Sequence, residues 1–398
     1  MEKIKLNNGM SVVYAGHAKS FSGVLSINIG HVNEPSLGIA NLFERTLLLQ
    51  TRGIIPVFGG TMTAYTTGGS DLEEVFSKLH QVFNQTVVND KYVEEAKQLI
   101  RQQTEDTAPM TMRRMKLSYK HTAYGDKLVK TTEEYLDTLA SYTTEDVRTF
   151  ANTYYTGNNI VLVVSGPKVA KKELKNLAEQ FFGSIDAGTP CPKAPTNIYT
   201  GGFDKIEVKD NTSRVMFGWD MSHLNVDDSP YINVMMSMFL RRMERAFADL
   251  GYTDVQVDLK IAGYYGLRTI RAYLASPTLS AKDLTSIFIK ALNRICDTRA
   301  SDRRLERSRN SAMTEKLDKY ERSGDRALET AWQMIGRGQM YDVNVRINLI
   351  YETTADDVMD MAIRIFRGSR PTYIVAAPEG SNAYYSFDEF VKRIGWKA

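Results

Sequence analysis

Cysteine is almost absent from this chain. Cys191 and Cys296 are the only two in 398 residues, far apart and without a Cys-x-x-Cys spacing, which excludes a disulfide scaffold and a cysteine-rich zinc centre. An excess of charge of one sign is missing too. Fifty Lys and Arg against 47 Asp and Glu leave +3, too little to point to nucleic acid or a membrane surface as a partner. No run approaches the ~18 apolar residues of a membrane span. The opening "MEKIKLNNGMSVVYAG" has no apolar signal-peptide core, so a cytoplasmic protein is expected. Neither a Gly-x-Ser-x-Gly elbow nor a Walker phosphate loop occurs. The five His, at 17, 31, 80, 121 and 223, show no ligand spacing, and His80 in "SKLHQVF" reads as a helix-surface or core residue.

What is present is an internal repeat. The composition, 43% hydrophobic and 24% charged, is that of a folded chain, long enough for two or three domains. "TTEDVRTFANTYYTGNNIVLVVSGP" (143–167) aligns without a gap to "TADDVMDMAIRIFRGSRPTYIVAAP" (354–378), with seven of 25 positions identical, among them Thr143/Thr354, Asp146/Asp357 and Gly157/Gly368. Each copy reads as Thr N-cap, acidic first turn, amphipathic helix, Gly stop and short apolar strand ending at Pro. Shared punctuation in a shared order implies duplication of a unit of roughly 200 residues. The openings "KIKLNNGMSVVYAG" and "KIEVKDNTSRVMFGW" both read as strand, turn, strand, and "DAGTPCPKAPTNIYTGG" between the halves as a linker. Helical patterns over 72–87, 91–105, 170–182, 231–250, 280–299 and 301–336 alternate with strands. The expected fold is α+β: two tandem homologous domains, 1–184 and 201–398 joined by a linker at 185–200, each a mixed, mostly antiparallel sheet with helices on one face.

One helix carries an unusual polar stripe. In "GIANLFERTLLLQT" (38–51), Ile39, Leu42, Phe43 and Leu47 recur at helical spacing and face a core, while Asn41, Glu44 and Arg45 share the other side. Taken alone, that side is a solvated helix face. The charge run at 298–326 reads as a long helix with a solvated face, a basic docking stripe being the minor alternative.

The duplication, the opening "LNNGMSVVYAGHAKSFSGVLSINIGHVNEP", this helix and the strand "GGTMTAYTT", in that order, resemble the insulinase/pitrilysin family of zinc peptidases, in particular its short two-domain, mitochondrial-processing-peptidase-like type. In that family the helix carries His-x-x-Glu-His, where two His bind zinc and the Glu is the general base. The matching positions here are Asn41, Glu44 and Arg45. Asn is a poor zinc ligand and Arg cannot shed its proton to coordinate. The resemblance therefore implies a degenerate, vestigial motif, with no catalytic residue and no metal ligand in this chain. The family's third ligand, a Glu on a later helix, is unassigned among Glu94, Glu95 and Glu105. The family's substrate-holding Arg and Tyr, in a pattern like R-x-x-x-G-x-x-Y, fall on Phe247 and Asp254 of "FADLGYTD", so both contacts are lost; nearby Arg241, Arg242 and Arg245 have no assigned purpose. "GGTMTAYTT" resembles the family's edge strand, so Gly60, Thr61, Met62, Thr63, Ala64 and Tyr65 are candidate peptide contacts by β-augmentation, with Thr63 where relatives often have Asn and Tyr65 keeping the aromatic place.

These readings imply the non-catalytic subunit of a heterodimeric insulinase-like peptidase, helping to form a chamber for peptide or precursor processing. The chain then holds no cofactor, zinc being expected only in a partner subunit with an intact motif; self-association is the other pairing considered. Two alternatives stand: a scaffold or peptide-binding protein without proteolysis, like the core subunits of respiratory complexes, and a stand-alone metallopeptidase using Glu44 with Glu94 or Glu95 and a harder metal. Arg45 opposes any cation there, and a vestigial site predicts that Arg45 pairs with Glu44 or with a carboxylate of the 91–106 helix.

Overall fold

The computed structural model describes residues 2–84, 87–106, 110–125, 131–193, 198–264 and 267–397. Residues 194–197 of the expected linker and 85–86 of the expected 72–87 helix lie outside that set. The chain forms two compact units, neither of them one continuous stretch: residues 1–107, 130–195 and 317–341 make the first, and 108–129, 196–316 and 342–398 the second.

The first unit contains β1 (Glu2–Lys5), β2 (Ser11–His17), β3 (Phe21–Ile27), α1 (Ile39–Leu48), β4 (Ile55–Phe58), β5 (Thr63–Gly69), α2 (Leu72–Asn84) and α3 (Asp90–Asp106). To it also belong α5 (Thr132–Ser141), α6 (Thr144–Tyr154), β6 (Ile160–Gly166), α7 (Lys171–Phe182) and α11 (Ser323–Arg337). The second unit holds α4 (Met110–Tyr124), β7 (Gly202–Val208), β8 (Ser213–Asp220), α8 (Ser229–Ala248), β9 (Gln256–Tyr264), β10 (Leu267–Ser276) and α9 (Ala281–Asp297). Most of α10 (Asp302–Glu321) follows, then α12 (Val343–Glu352), α13 (Ala355–Phe366), β11 (Thr372–Pro378) and α14 (Phe387–Ile394).

The first sheet runs β1-β2-β6-β3-β5-β4 and the second β7-β11-β8-β10-β9, mixed and mostly antiparallel. Both faces of each sheet are covered, which corrects the expectation of helices on one face. Every residue of β6 is buried, as a strand packed on two sides requires. Because side chains alternate across a strand, Ile160, Leu162 and Val164 join the core beneath α1, α2, α3, α6 and α7. Val161 and Val163 join a second cluster formed with Ala327, Ala331 and Met334 of α11. In the second unit α4 plays the same part, laying Met115, Tyr119 and Ala123, four residues apart, against Ile206, Met216, Tyr273 and Ile374. Each unit thus borrows one helix from the other half of the duplicated sequence.

The helix expected over 301–336 is two. Arg322, at φ −77 and ψ 117, is extended and separates α10 from α11, where Ser323 and Gly324 are weak helix formers. Ser323 instead bonds the Ser22 hydroxyl at 2.7 Å.

The repeat is visible in detail. Thr143 and Thr354 cap α6 and α13, and each forms a reciprocal capping box, with Asp146 and Asp357. Strand registers refine the equivalence of the halves. β2 runs parallel to β6 with Ser11 opposite Val161, and β7 runs parallel to β11 with Gly202 opposite Thr372. β7 therefore corresponds to β2, and β8 to β3. The two openings do not match as whole hairpins: β1 pairs with β2, whereas β11 lies between β7 and β8.

Candidate functional site

The polar stripe sits on α1, whose start is built by its neighbours. Gly38, the N-cap, has φ 84 and no side chain to offer. Glu34 supplies the missing acceptors, taking the Gly38 N–H at 2.6 Å and the Ala40 N–H at 2.9 Å. Burial pushes Glu34 up to about 7 against the pull of those two donors. A Cβ on Gly38 would stand 2.8 Å from Tyr135 Cε2 and 3.0 Å from Leu139 Cδ2, so α5 fits closely against this turn.

The stripe is not a solvated face. Glu44 is fully buried, and neither carboxylate oxygen has a hydrogen-bond partner among the described residues. Burial raises its pKa to about 9, with the Arg45 charge pulling the other way, so Glu44 is a neutral acid at pH 7. Beside it lie two buried phenols, Tyr65 and Tyr155, whose hydroxyls meet at 2.7 Å. Both are held well above the ordinary tyrosine range, by burial first and with a contribution from Glu44. The Phe43 ring packs edge-on to Tyr155, centroids 4.6 Å apart. Asn41 donates its amide N–H to the Tyr135 hydroxyl at 2.8 Å. Arg45 influences Glu44 through its charge without hydrogen-bonding to it, so the expected direct Arg45–Glu44 bond does not form.

Zinc does not fit these residues. It needs three protein donors bearing free electron pairs. Here the two His positions hold an amide that donates to a phenol and a permanent cation, and the Glu is protonated. The third-ligand candidates are turned elsewhere: Val93, Ala96 and Ile100 form the buried face of α3, whereas Glu94 and Glu95 are exposed and Glu94 pairs with Lys97 at 2.7 Å. The Glu105 side chain lies outside the described ones. Among the described residues no three His, Cys, Asp or Glu side chains gather as a metal-binding group.

The stretch from Gly60 to Tyr65 is buried and does not lie at an edge. β5 is the penultimate strand, and β4 covers it through the pairs Phe58/Thr63, Val57/Ala64, Pro56/Tyr65 and Ile55/Thr66. The Thr63 hydroxyl donates inward to Ile29 O at 2.9 Å. The true edge is β4, four residues long with Ile55 66% exposed; its brevity and Pro56 disfavour addition of a further strand. The lost substrate contacts are equally plain. Phe247 is a core residue of the second unit, and Asp254 is exposed, accepting from the Thr278 hydroxyl at 2.9 Å.

Sequence reasoning missed Glu34, Tyr135 and Tyr155. Glu34 stands four residues before the helix-capping Gly38, a spacing from which its capping role could have been read. The two tyrosines come from distant segments and carry no local signal.

Comparison with known proteins places this geometry. The family model described as the peptidase M16 inactive domain matches residues 141–312. No curated protein matches the chain. Among solved structures, a chain of complex III2 from Candida albicans with Inz-5 bound superposes with a TM-score of 0.85 at 15% identity, covering 99% of each chain. A protease from Helicobacter pylori gives 0.81 at 15% identity, covering 95% of this chain and 99% of that one. An M16-like peptidase from Alicyclobacillus acidocaldarius gives 0.78 at 14%, covering 95% and 98%. These likenesses establish the two-domain fold. The match over residues 141–312 to the M16 inactive domain supports kinship with the insulinase-type M16 peptidases, in a chain whose Asn41/Glu44/Arg45 stand in place of the zinc motif.

Proposed function

We propose that the chain is a non-catalytic subunit of a cytoplasmic assembly, paired with a second M16-type chain that keeps His-x-x-Glu-His and holds the zinc, and that together they enclose peptides for processing. The observation that carries this reading is the rebuilt centre of α1: Asn41 tied to Tyr135, Arg45 in a ligand position and Glu44 buried without a hydrogen-bond partner. Asn41 and Arg45 are poor hosts for a metal yet sit in a packed fold, which suits a role in shaping a chamber rather than in cleavage. The likeness to a chain of complex III2 supports membership of a multi-subunit assembly.

Affinity capture from the native cell, with co-purifying chains identified by mass spectrometry, tests the proposal. A near-equimolar chain of similar length with an intact motif is the expected result. A stable assembly without any such chain would instead establish the second reading, a scaffold without proteolysis. One observation favours that reading: β4 already occupies the side of β5 where a peptide would pair. In the chamber reading a bound peptide either displaces β4 or is held elsewhere.

A further inference from the structure

Three helices of the second unit direct basic side chains to one cavity. α8 contributes Arg241, Arg242 and Arg245; α9 adds Lys290 and Arg294. From α10 come Arg304 and Arg307. Spacings of three and four residues bring the side chains of each helix to one face, where like charges destabilise a helix unless something offsets them. Among the described residues one carboxylate, Asp249, lines the same space. None of the seven cations takes part in an ion pair among the described residues.

Arg242 is the central member. Its Nε and Nη1 atoms are buried and have no hydrogen-bond partner, and burial together with Arg294 and Arg304 pushes its pKa down to about 10. At pH 7 it remains charged. Buried donors of a charged group left unsatisfied are expensive, and a guanidinium cannot escape by losing its proton as a carboxyl does by gaining one. The arrangement calls for an anion.

Size narrows the class. The cavity is about 170 Å³, near the ~150 Å³ of a cavity that takes benzene and well below the ~300–1,000 Å³ of sites for drug-sized organic ligands. Guanidinium forks match phosphate oxygens two at a time, and seven cations against one carboxylate favour an ion with several negative charges in a small volume. We propose that this cavity between α8, α9 and α10 binds a diphosphate-type anion, either inorganic diphosphate or the diphosphate end of a larger molecule that projects outward. The site is independent of the α1 centre and of the proposed subunit role.

Calorimetric titration of the full chain with inorganic diphosphate, beside ADP and with citrate as a carboxylate control at matched ionic strength, tests it. Saturable 1:1 binding of diphosphate, with citrate on the order of tenfold weaker, is expected. Binding of ADP as well identifies a diphosphate end with its remainder outside; binding of diphosphate alone identifies the free ion. Arg242→Gln should weaken binding on the order of tenfold, and Arg304→Gln, an exposed change that spares the packing, should also weaken it. Arg52→Gln, outside the cavity, should not. Absence of saturable diphosphate binding, equal binding of citrate, or binding untouched by both cavity variants overturns the assignment.

Discussion

Helices α1 and α8 hold corresponding places in the duplicated plan. Each follows the strand that pairs antiparallel with β6 or β11, and each leads into the hairpin that closes its sheet. Each also carries a charged side chain with buried polar atoms that have no hydrogen-bond partner among the described residues, notably Glu44 on α1 and Arg242 on α8. The resolution differs with the chemistry of the group. Glu44 sheds its charge by keeping a proton up to about pH 9, so its surroundings, two tyrosines and a phenylalanine, need supply no counter-ion. Arg242 has no such route at neutral pH, and its surroundings are a cavity rather than a packed core. One fold position holds a buried neutral acid in one half and lines a cationic hollow in the other.

The largest expected effect comes from removing the Glu44 charge. Above about pH 4.5 the unfolded chain releases a proton that the folded chain retains to about pH 9. Stability therefore falls as pH rises through that interval. Glu44→Gln, of the same shape and permanently neutral, should remove the Glu44 share of this fall, leaving the share of Glu34 below about pH 7, and stabilise the protein at pH 7 by up to roughly 3 kcal/mol. Urea unfolding at pH 5, 7 and 9 measures it. Parallel curves for the two proteins would show that Glu44 is not buried as an acid. Arg45, Tyr65 and Tyr155 also face this group, but none of them changes charge in that interval: Arg45 is a permanent cation, and both phenols are held above the ordinary tyrosine range.

The two helices also begin differently. α8 starts after Asp228 with Pro230 in its first turn, an ordinary entry. α1 starts from a left-handed Gly38 pressed against Tyr135 and Leu139. Gly38→Ala combines a strained backbone with a clash, and should cost about 2 kcal/mol, read as a lowered urea midpoint. A neutral outcome would mean that α5 can move away from α1. On the other helix, Arg242→Met should stabilise the ligand-free protein by about 1 kcal/mol, and equally at pH 5, 7 and 9, because Arg242 stays charged throughout. A loss of stability would mean that its guanidinium has a structural partner.

Much of this was legible in the sequence because it is local. The Thr-x-x-Asp capping boxes, the apolar face of α1 and the repeat at 143–167 and 354–378 all depend on residues within one or two turns of each other. The break at Arg322 was missed because an unbroken run of charged residues hides it, and only Ser323-Gly324 marks it. The exchange of α4 and α11 has no local signal: alanines at 327 and 331 suit a sheet face, but nothing in their spacing says whose. The edge reading of GGTMTAYTT rests on its resemblance to the family's edge strand; which strand flanks it here is a property of the hairpin with 55–58. The α1 centre follows the same rule. Asn41, Glu44 and Arg45 could be named as a lost metal motif, while the burial that makes Glu44 neutral depends on Tyr65 and Tyr155 from elsewhere.

The smallest expected effect is the most informative about decay. Asn41→His with Arg45→His restores the letters of the zinc motif on α1, and it also removes the cation that opposes a metal. Among the described carboxylates of α3, Glu94 and Glu95 lie on its exposed side, so neither supplies the two imidazoles with a third ligand. The substrate-holding positions remain Phe247, locked in a core, and Asp254, bonded to Thr278. Peptide hydrolysis by the double variant, measured with zinc supplied, should be indistinguishable from that of the parent, and zinc retained after gel filtration should fall well short of one per chain. Hydrolysis sensitive to a chelator would show that two substitutions are all that separate this fold from activity, and the contrast between α1 and α8 would then be recent rather than built into the packing of each half.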